Sequence, residues 1–190
     1  MIIGITGGSG TGKTAVSLCF EKHGYFIIDA DKVAHKVMDR KSPCLKEVID
    51  FFGHEYLNQG GTLNRKKLGE KVFKNKDLLE NLNKITHKYI KREIEFLAHN
   101  SSETVIDAAL LFESGLDKLC QKVVFVSCPE DIRIKRIVSR DGVSKKYATS
   151  RIKAQKTDEF YRQRCDYEIV NDGEQNIALK VEEILACLKD

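Results

Sequence analysis

Two prolines in 190 residues leave the chain without the usual marks of a domain boundary. No repeat, low-complexity tract or linker interrupts it, so the reading is one domain, large enough to bury a core and to carry a lid or inserted subdomain. Six scattered cysteines (Cys19, Cys44, Cys120, Cys128, Cys165 and Cys187) form no C-x-x-C pair, which excludes a disulfide framework and a zinc site and predicts free thiols. Five histidines supply no H-E-x-x-H spacing, so a metalloprotease-type centre has no ligands. No segment approaches the length of a membrane span. The apolar run at the N-terminus is too short for a signal peptide and has no basic residues before it. The expectation is a cytoplasmic protein with no membrane partner. Charge of one sign is also in short supply: 32 Lys and Arg against 28 Asp and Glu give +4, which suits an anionic ligand without arguing for nucleic acid. The basic stretch Arg65-Lys66-Lys67 reads as a solvated helix face.

What the chain does have is a complete G-x-x-x-x-G-K-[ST] loop. Gly7, Gly8, Ser9, Gly10, Thr11, Gly12, Lys13 and Thr14 follow directly on the apolar run Ile2-Ile3-Gly4-Ile5, and a helix is predicted over residues 13–23. Strand, glycine-rich turn and helix form the context in which this motif holds a triphosphate. Glycines let successive N–H groups point into one concavity, and the helix adds the positive end of its dipole there, at Thr14 and Ala15. Lys13 supplies a mobile charge to the β- and γ-phosphates, and the Thr14 hydroxyl is a candidate Mg²⁺ ligand. A dinucleotide-binding G-x-G-x-x-G reading fails, because counting from Gly8 and Gly10 places Lys13 at the third glycine.

Short runs rich in Val and Ile predict strands at 2–6, 25–29, 104–107, 123–127 and 167–171, separated by helical periodicity. Nearly all-apolar strands between helices mean an α/β protein with a five-stranded parallel sheet buried on both faces. Gly24 falls where a left-handed helix cap is expected, and Pro129 reads as the first position of a helix whose first turn is acidic. Residues 30–103 lack strand character and show helical patterns at 45–52, 65–73 and 78–97, so they form a helical excursion. Ligands of a parallel sheet sit outside the carboxyl ends of its strands, so the excursion is expected to overhang the loop and to bind a second substrate. Residues 133–164 are rich in arginine and broken by Asp141-Gly142, which predicts a two-helix hairpin acting as a lid. Asp29 and Asp31 follow the second strand and Asp107 ends the third. A carboxylate beside a phosphate loop holds Mg²⁺ through water or accepts a proton from a hydroxyl; the alternative is that it caps the next helix.

Further segments carry a resemblance that runs from the first residue to about residue 173. They include Ile28-Asp29-Ala30-Asp31, Gly61-Thr62-Leu63-Asn64-Arg65, Leu110-Leu111-Phe112-Glu113, Arg136 to Asp141, and Arg151-Ile152-Lys153-Ala154-Gln155. In these the chain resembles the dephospho-coenzyme A kinases. The resemblance implies a three-layer P-loop kinase core (1–30, 101–130 and 165–190), a helical substrate subdomain (31–100) and a lid (131–164). It implies ATP and Mg²⁺, dephospho-coenzyme A as small-molecule acceptor, no nucleic-acid partner, and a monomer or small homo-oligomer. On this footing Asp31 accepts the proton of the ribose 3′-hydroxyl, and Asp29 orders Mg²⁺ or its water shell. Arg140, with Arg136 a turn earlier, closes over the transferring group. Arg151 and Gln155, four residues apart on one face, either complete the lid, joining Asp29, Asp31 and His87 as acceptor candidates, or are an ordinary surface pair on a helix. The family's His-Pro is here His87-Lys88, so His87 either lines the acceptor site or packs in a helix; Asp107-Ala108-Ala109 and Cys165-Asp166 also depart from the pattern. Two other readings remain: another P-loop small-molecule or nucleoside monophosphate kinase, and a nucleotide-dependent switch. For the switch the nearest guanine-recognition strings, Asn75-Lys76-Asp77-Leu78 and Gln155-Lys156-Thr157-Asp158, each miss a required residue.

Overall fold

A computed structural model describes residues 1–188, so the last two positions of the stretch 165–190 assigned to the core lie outside the described residues. The elements in chain order are β1 (Ile2–Thr6), α1 (Lys13–Lys22), β2 (Phe26–Asp29), α2 (Ala30–Lys36), α3 (Pro43–Phe52), α4 (Arg65–Val72), α5 (Lys76–His99), β3 (Thr104–Asp107), β4 (Lys122–Ser127), α6 (Glu130–Asp141), α7 (Lys145–Lys153), α8 (Asp158–Arg162), β5 (Tyr167–Val170) and α9 (Ile177–Cys187). The five strands form one parallel sheet in the order β2-β3-β1-β4-β5, so β1 is central.

Alternation along the strands sorts residues to the two faces. Ile3 and Ile5 of β1, Val124 and Val126 of β4 and Ile169 of β5 pack with Val16 and Phe20 of α1 and with Val181, Ile184 and Leu185 of α9. On the opposite face Phe125 stacks on Tyr161 of α8 at 4.9 Å between ring centres, and Gly4 backs onto Leu111 and Cys120. The sheet thus lies between helical layers, the α/β class expected.

The chain divides into two compact units, Met1–Ile28 with the residues from Ser101 onward, and Asp29–Asn100. In the second unit α3, α4 and α5 enclose their own core of Leu45, Val48, Ile49, Leu68 and Val72. Side-chain caps start most of its helices: Asp29 accepts from Lys32 N–H, Ser42 from Leu45, Asn64 from Lys67 and Asn75 from Leu78.

Three local expectations change. Residues 133–164 contain parts of three helices, because Ser144 caps α7 and Thr157 caps a separate α8. Pro129 is the residue before α6, with Glu130 opening the helix. α7 ends at Lys153, so Arg151 and Gln155 do not share a helix face.

Candidate active site

The phosphate loop is pressed between β4, α6 and the end of β5. A Cβ on Gly8 would lie 2.1 Å from Arg133 Nη2, and one on Gly12 would lie 2.1 Å from Asn171 Nδ2. A β-carbon at either place would force the Arg133 guanidinium or the Asn171 amide to move. Thr11 closes the turn by donating to Gly8 C=O at 2.9 Å. Lys13 is the first residue of α1 and half-buried, while Thr14 and Ala15 are exposed at the helix N-terminus, where the positive end of the helix dipole favours an anion.

Residues outside the motif hold the loop's backbone. Arg133 Nε donates to Ser9 C=O at 3.0 Å, and Gln155 both accepts from Ser9 N–H (2.9 Å) and donates to Ser9 Oγ (3.1 Å). Arg136 Nη1 reaches the carbonyls of Gly10 and Thr11, each at 3.4 Å, and that of Asn171 at 3.1 Å. Asn171 Nδ2 donates to Thr11 C=O at 2.8 Å, and its Oδ1 accepts from Arg136 Nη2 at 3.3 Å. Cys128, buried beside Arg136, is held in its thiol form by desolvation.

Arg133 and Asn171 were not singled out from the sequence. Their partners in the phosphate loop lie 124 and 160 residues away, and spacing along one helix or strand carries no trace of them. The only signal was that Arg133 stands a turn before Arg136.

The other arginines point elsewhere. Arg140 binds Asp141 through Nε at 2.6 Å and Nη2 at 3.0 Å, and Arg151 Nη1 meets the same carboxylate at 2.8 Å. The Arg140 hydrogen bonds hold the Asp141 carboxyl below its ordinary range. At the end of β3, Asp107 lies opposite Ile5 of β1, and Ser17 of α1 donates to its Oδ2 at 2.8 Å.

In the second unit, Asp29 Oδ1 caps α2 by accepting from Lys32 N–H at 3.0 Å, and Asp31 is exposed in the first turn of that helix. His87 is half-buried on α5, and desolvation lowers its pKa. A cavity of about 560 Å³ is lined by Lys36, Ser42, Cys44, Tyr89, Arg92 and Glu93. Among the described residues no group of three or more His, Cys, Asp or Glu side chains is placed to hold a metal ion, and no helix is long and apolar enough to cross a membrane. Oxygen donors of the kind a hard cation takes are present singly, in the Thr14 hydroxyl and the strand-end carboxylates.

A parallel sheet whose central strand runs through a G-x-x-x-x-G-K-T loop into a helix, with arginines on that loop, is the framework of the P-loop kinases. Within that class, the family model for dephospho-CoA kinase matches residues 1–176, and the chain belongs to the dephospho-CoA kinase family. A dephospho-CoA kinase of Fusobacterium nucleatum is 38% identical over 185 residues, spanning 96% of this chain and 95% of its own length. The solved structure of a dephospho-CoA kinase from Campylobacter jejuni is 27% identical with a TM-score of 0.70, over 97% of this chain and 95% of that one. A solved structure from Thermus thermophilus, 28% identical, superposes with a TM-score of 0.83 over 99% of this chain and 97% of that one.

Proposed function

We propose that the protein transfers the γ-phosphoryl group of ATP to the ribose 3′-hydroxyl of dephospho-CoA, giving CoA and ADP in the cytoplasm. The observation that carries this reading is the phosphate loop between β1 and α1 in a chain of this family. Phosphoryl transfer asks a protein for positioning and for stabilisation of spread negative charge, and Mg²⁺ that arrives with the nucleotide supplies part of that charge. The loop amides, Lys13 and the N-terminus of α1 bind the donor's phosphates. Thr14 and Asp29 supply oxygens to the ion or its water shell. Asp31, exposed and at the start of α2, accepts the proton of the attacking hydroxyl. Arg140 stabilises the transferring group once released from Asp141, and His87 and Arg151 contribute to the acceptor side.

Asp31→Asn tests the central assignment. It keeps the side chain's size and removes its basicity, so turnover of dephospho-CoA should be lost while calorimetric ATP affinity stays near wild type. Normal turnover by this variant would remove Asp31 from the base role.

A further inference from the structure

We propose that Arg133 and Gln155 are positioning residues for phosphoryl transfer, acting together through Ser9 of the phosphate loop; this rests on the donor-site reading above. Ser9 lies in the turn of the loop, and all three of its polar groups are held. Its N–H goes to Gln155 Oε1, its Oγ accepts from Gln155 Nε2, and its carbonyl accepts from Arg133 Nε. Arg133 Nη2 also donates to Gln155 Oε1 at 3.0 Å, so each of the three residues is bonded to the other two. The ring joins the loop, α6 and the segment just beyond α7, which are far apart in sequence.

Arg133 is a costly residue to bury here. It is only 6% exposed, and the carboxylate of Asp158 stands at 3.8 Å from Nη1, outside hydrogen-bond reach. A buried guanidinium is tolerated when acceptors meet its N–H groups, and the Ser9 carbonyl and Gln155 Oε1 take one from Nε and one from Nη2. Its rigid planar fork in turn fixes both acceptors at set angles. Gly8 leaves it room: the guanidinium fills the space any β-carbon there would occupy. At the other arm of the loop Arg136 and Asn171 grip Gly10 and Thr11. Held at both arms, the intervening amides do not reorganise as charge develops on the transferring group, which is where preorganised donors act most strongly. Gln155 thereby works on the donor side, through Ser9, and not on the acceptor as the resemblance implies.

Steady-state kinetics separate the two roles. Gln155→Ala should lower kcat by about tenfold to a hundredfold, the scale of a misplaced catalytic framework, with KM for dephospho-CoA within twofold of wild type. Gln155→Glu keeps an acceptor for Ser9 N–H and for Arg133 and takes the Ser9 hydroxyl as a donor, so it should recover most of the lost kcat. Arg133→Met combined with Gln155→Ala should be little worse than the more damaging single change, because both act on one residue. The proposal is overturned if Gln155→Ala raises KM for dephospho-CoA with kcat intact, if Gln155→Glu recovers nothing, or if the two losses multiply. Should Arg133→Met fail to fold, the Gln155 pair alone decides. Wild-type turnover of dephospho-CoA tests the function itself. If that fails, MgATP affinity by calorimetry carries the comparison: about tenfold weaker binding by Gln155→Ala, roughly one lost hydrogen bond or two, supports the clamp, and unchanged binding overturns it.

Discussion

Asp29 has a structural task and a proposed chemical one, and two substitutions part them. Its Oδ1 caps α2 through Lys32 N–H, and Lys32 Nζ stands 3.4 Å from Oδ2. An ionised carboxylate has about four acceptor sites, so capping leaves capacity for a hydrated cation. Asn also caps a helix well, whereas Ala does not. Asp29→Asn should therefore melt near the wild-type temperature, and if the residue orders Mg²⁺ it should need more Mg²⁺ for half-maximal rate. Asp29→Ala should show that defect and lose about 1 kcal/mol of stability besides. A Mg²⁺ titration and a thermal melt on each variant check this; an unshifted Mg²⁺ requirement in Asp29→Asn reduces the residue to a cap. The sequence posed this choice without resolving it, because both roles need an acid at the same strand end.

The loop is where conformation and crowding meet. Gly12 takes φ +86° as the residue preceding α1, and its missing Cβ makes room for Asn171 Nδ2. Gly24, two residues after α1, takes φ +91° with open space around it. Alanine at either position incurs the left-handed penalty of about 1–2 kcal/mol. Only Gly12→Ala also displaces Asn171, and with it the grip on Thr11. Gly24→Ala should lower the melting temperature by several degrees with ATP affinity unchanged, while Gly12→Ala should in addition lose nucleotide binding. Calorimetry on the two proteins measures the difference. Elements of this kind were largely legible: short Val/Ile runs marked the strands, the motif marked β1, the loop and α1, and Gly24 marked the end of a helix. The lid segment was not. Its division into three helices depends on caps by Ser144 and Thr157, and the role of Gln155 depends on α7 stopping at Lys153, two residues short of it. Periodicity reports which face a residue occupies on a helix and nothing about a side chain that has just left one.

At the scale of the molecule, each unit has a core of its own: the α1–α9 side of the sheet in the first, and α3, α4 and α5 in the second. The long gap between β2 and β3 made the second unit visible in the sequence, since residues without strand periodicity had to pack among themselves. What the gap could not show is how independently such a unit opens. A unit with a separate core opens locally at its own free energy, and a ligand that binds only the closed form raises that free energy by its binding. Amide hydrogen exchange should therefore resolve the two substrates. MgATP should slow exchange in residues 7–14 and in α6, by about a hundredfold when present at 100 times its dissociation constant, with α3 and α4 changing little. Dephospho-CoA added alone should slow α2 and α5, which carry Asp31 and His87 and line the cavity around Lys36 and Arg92. Protection by dephospho-CoA confined to the first unit would move the acceptor candidates out of residues 29–100 altogether. Equal protection of both units by MgATP alone would mean that they open as a single cooperative block, so that the compact division of the chain is geometric and not energetic.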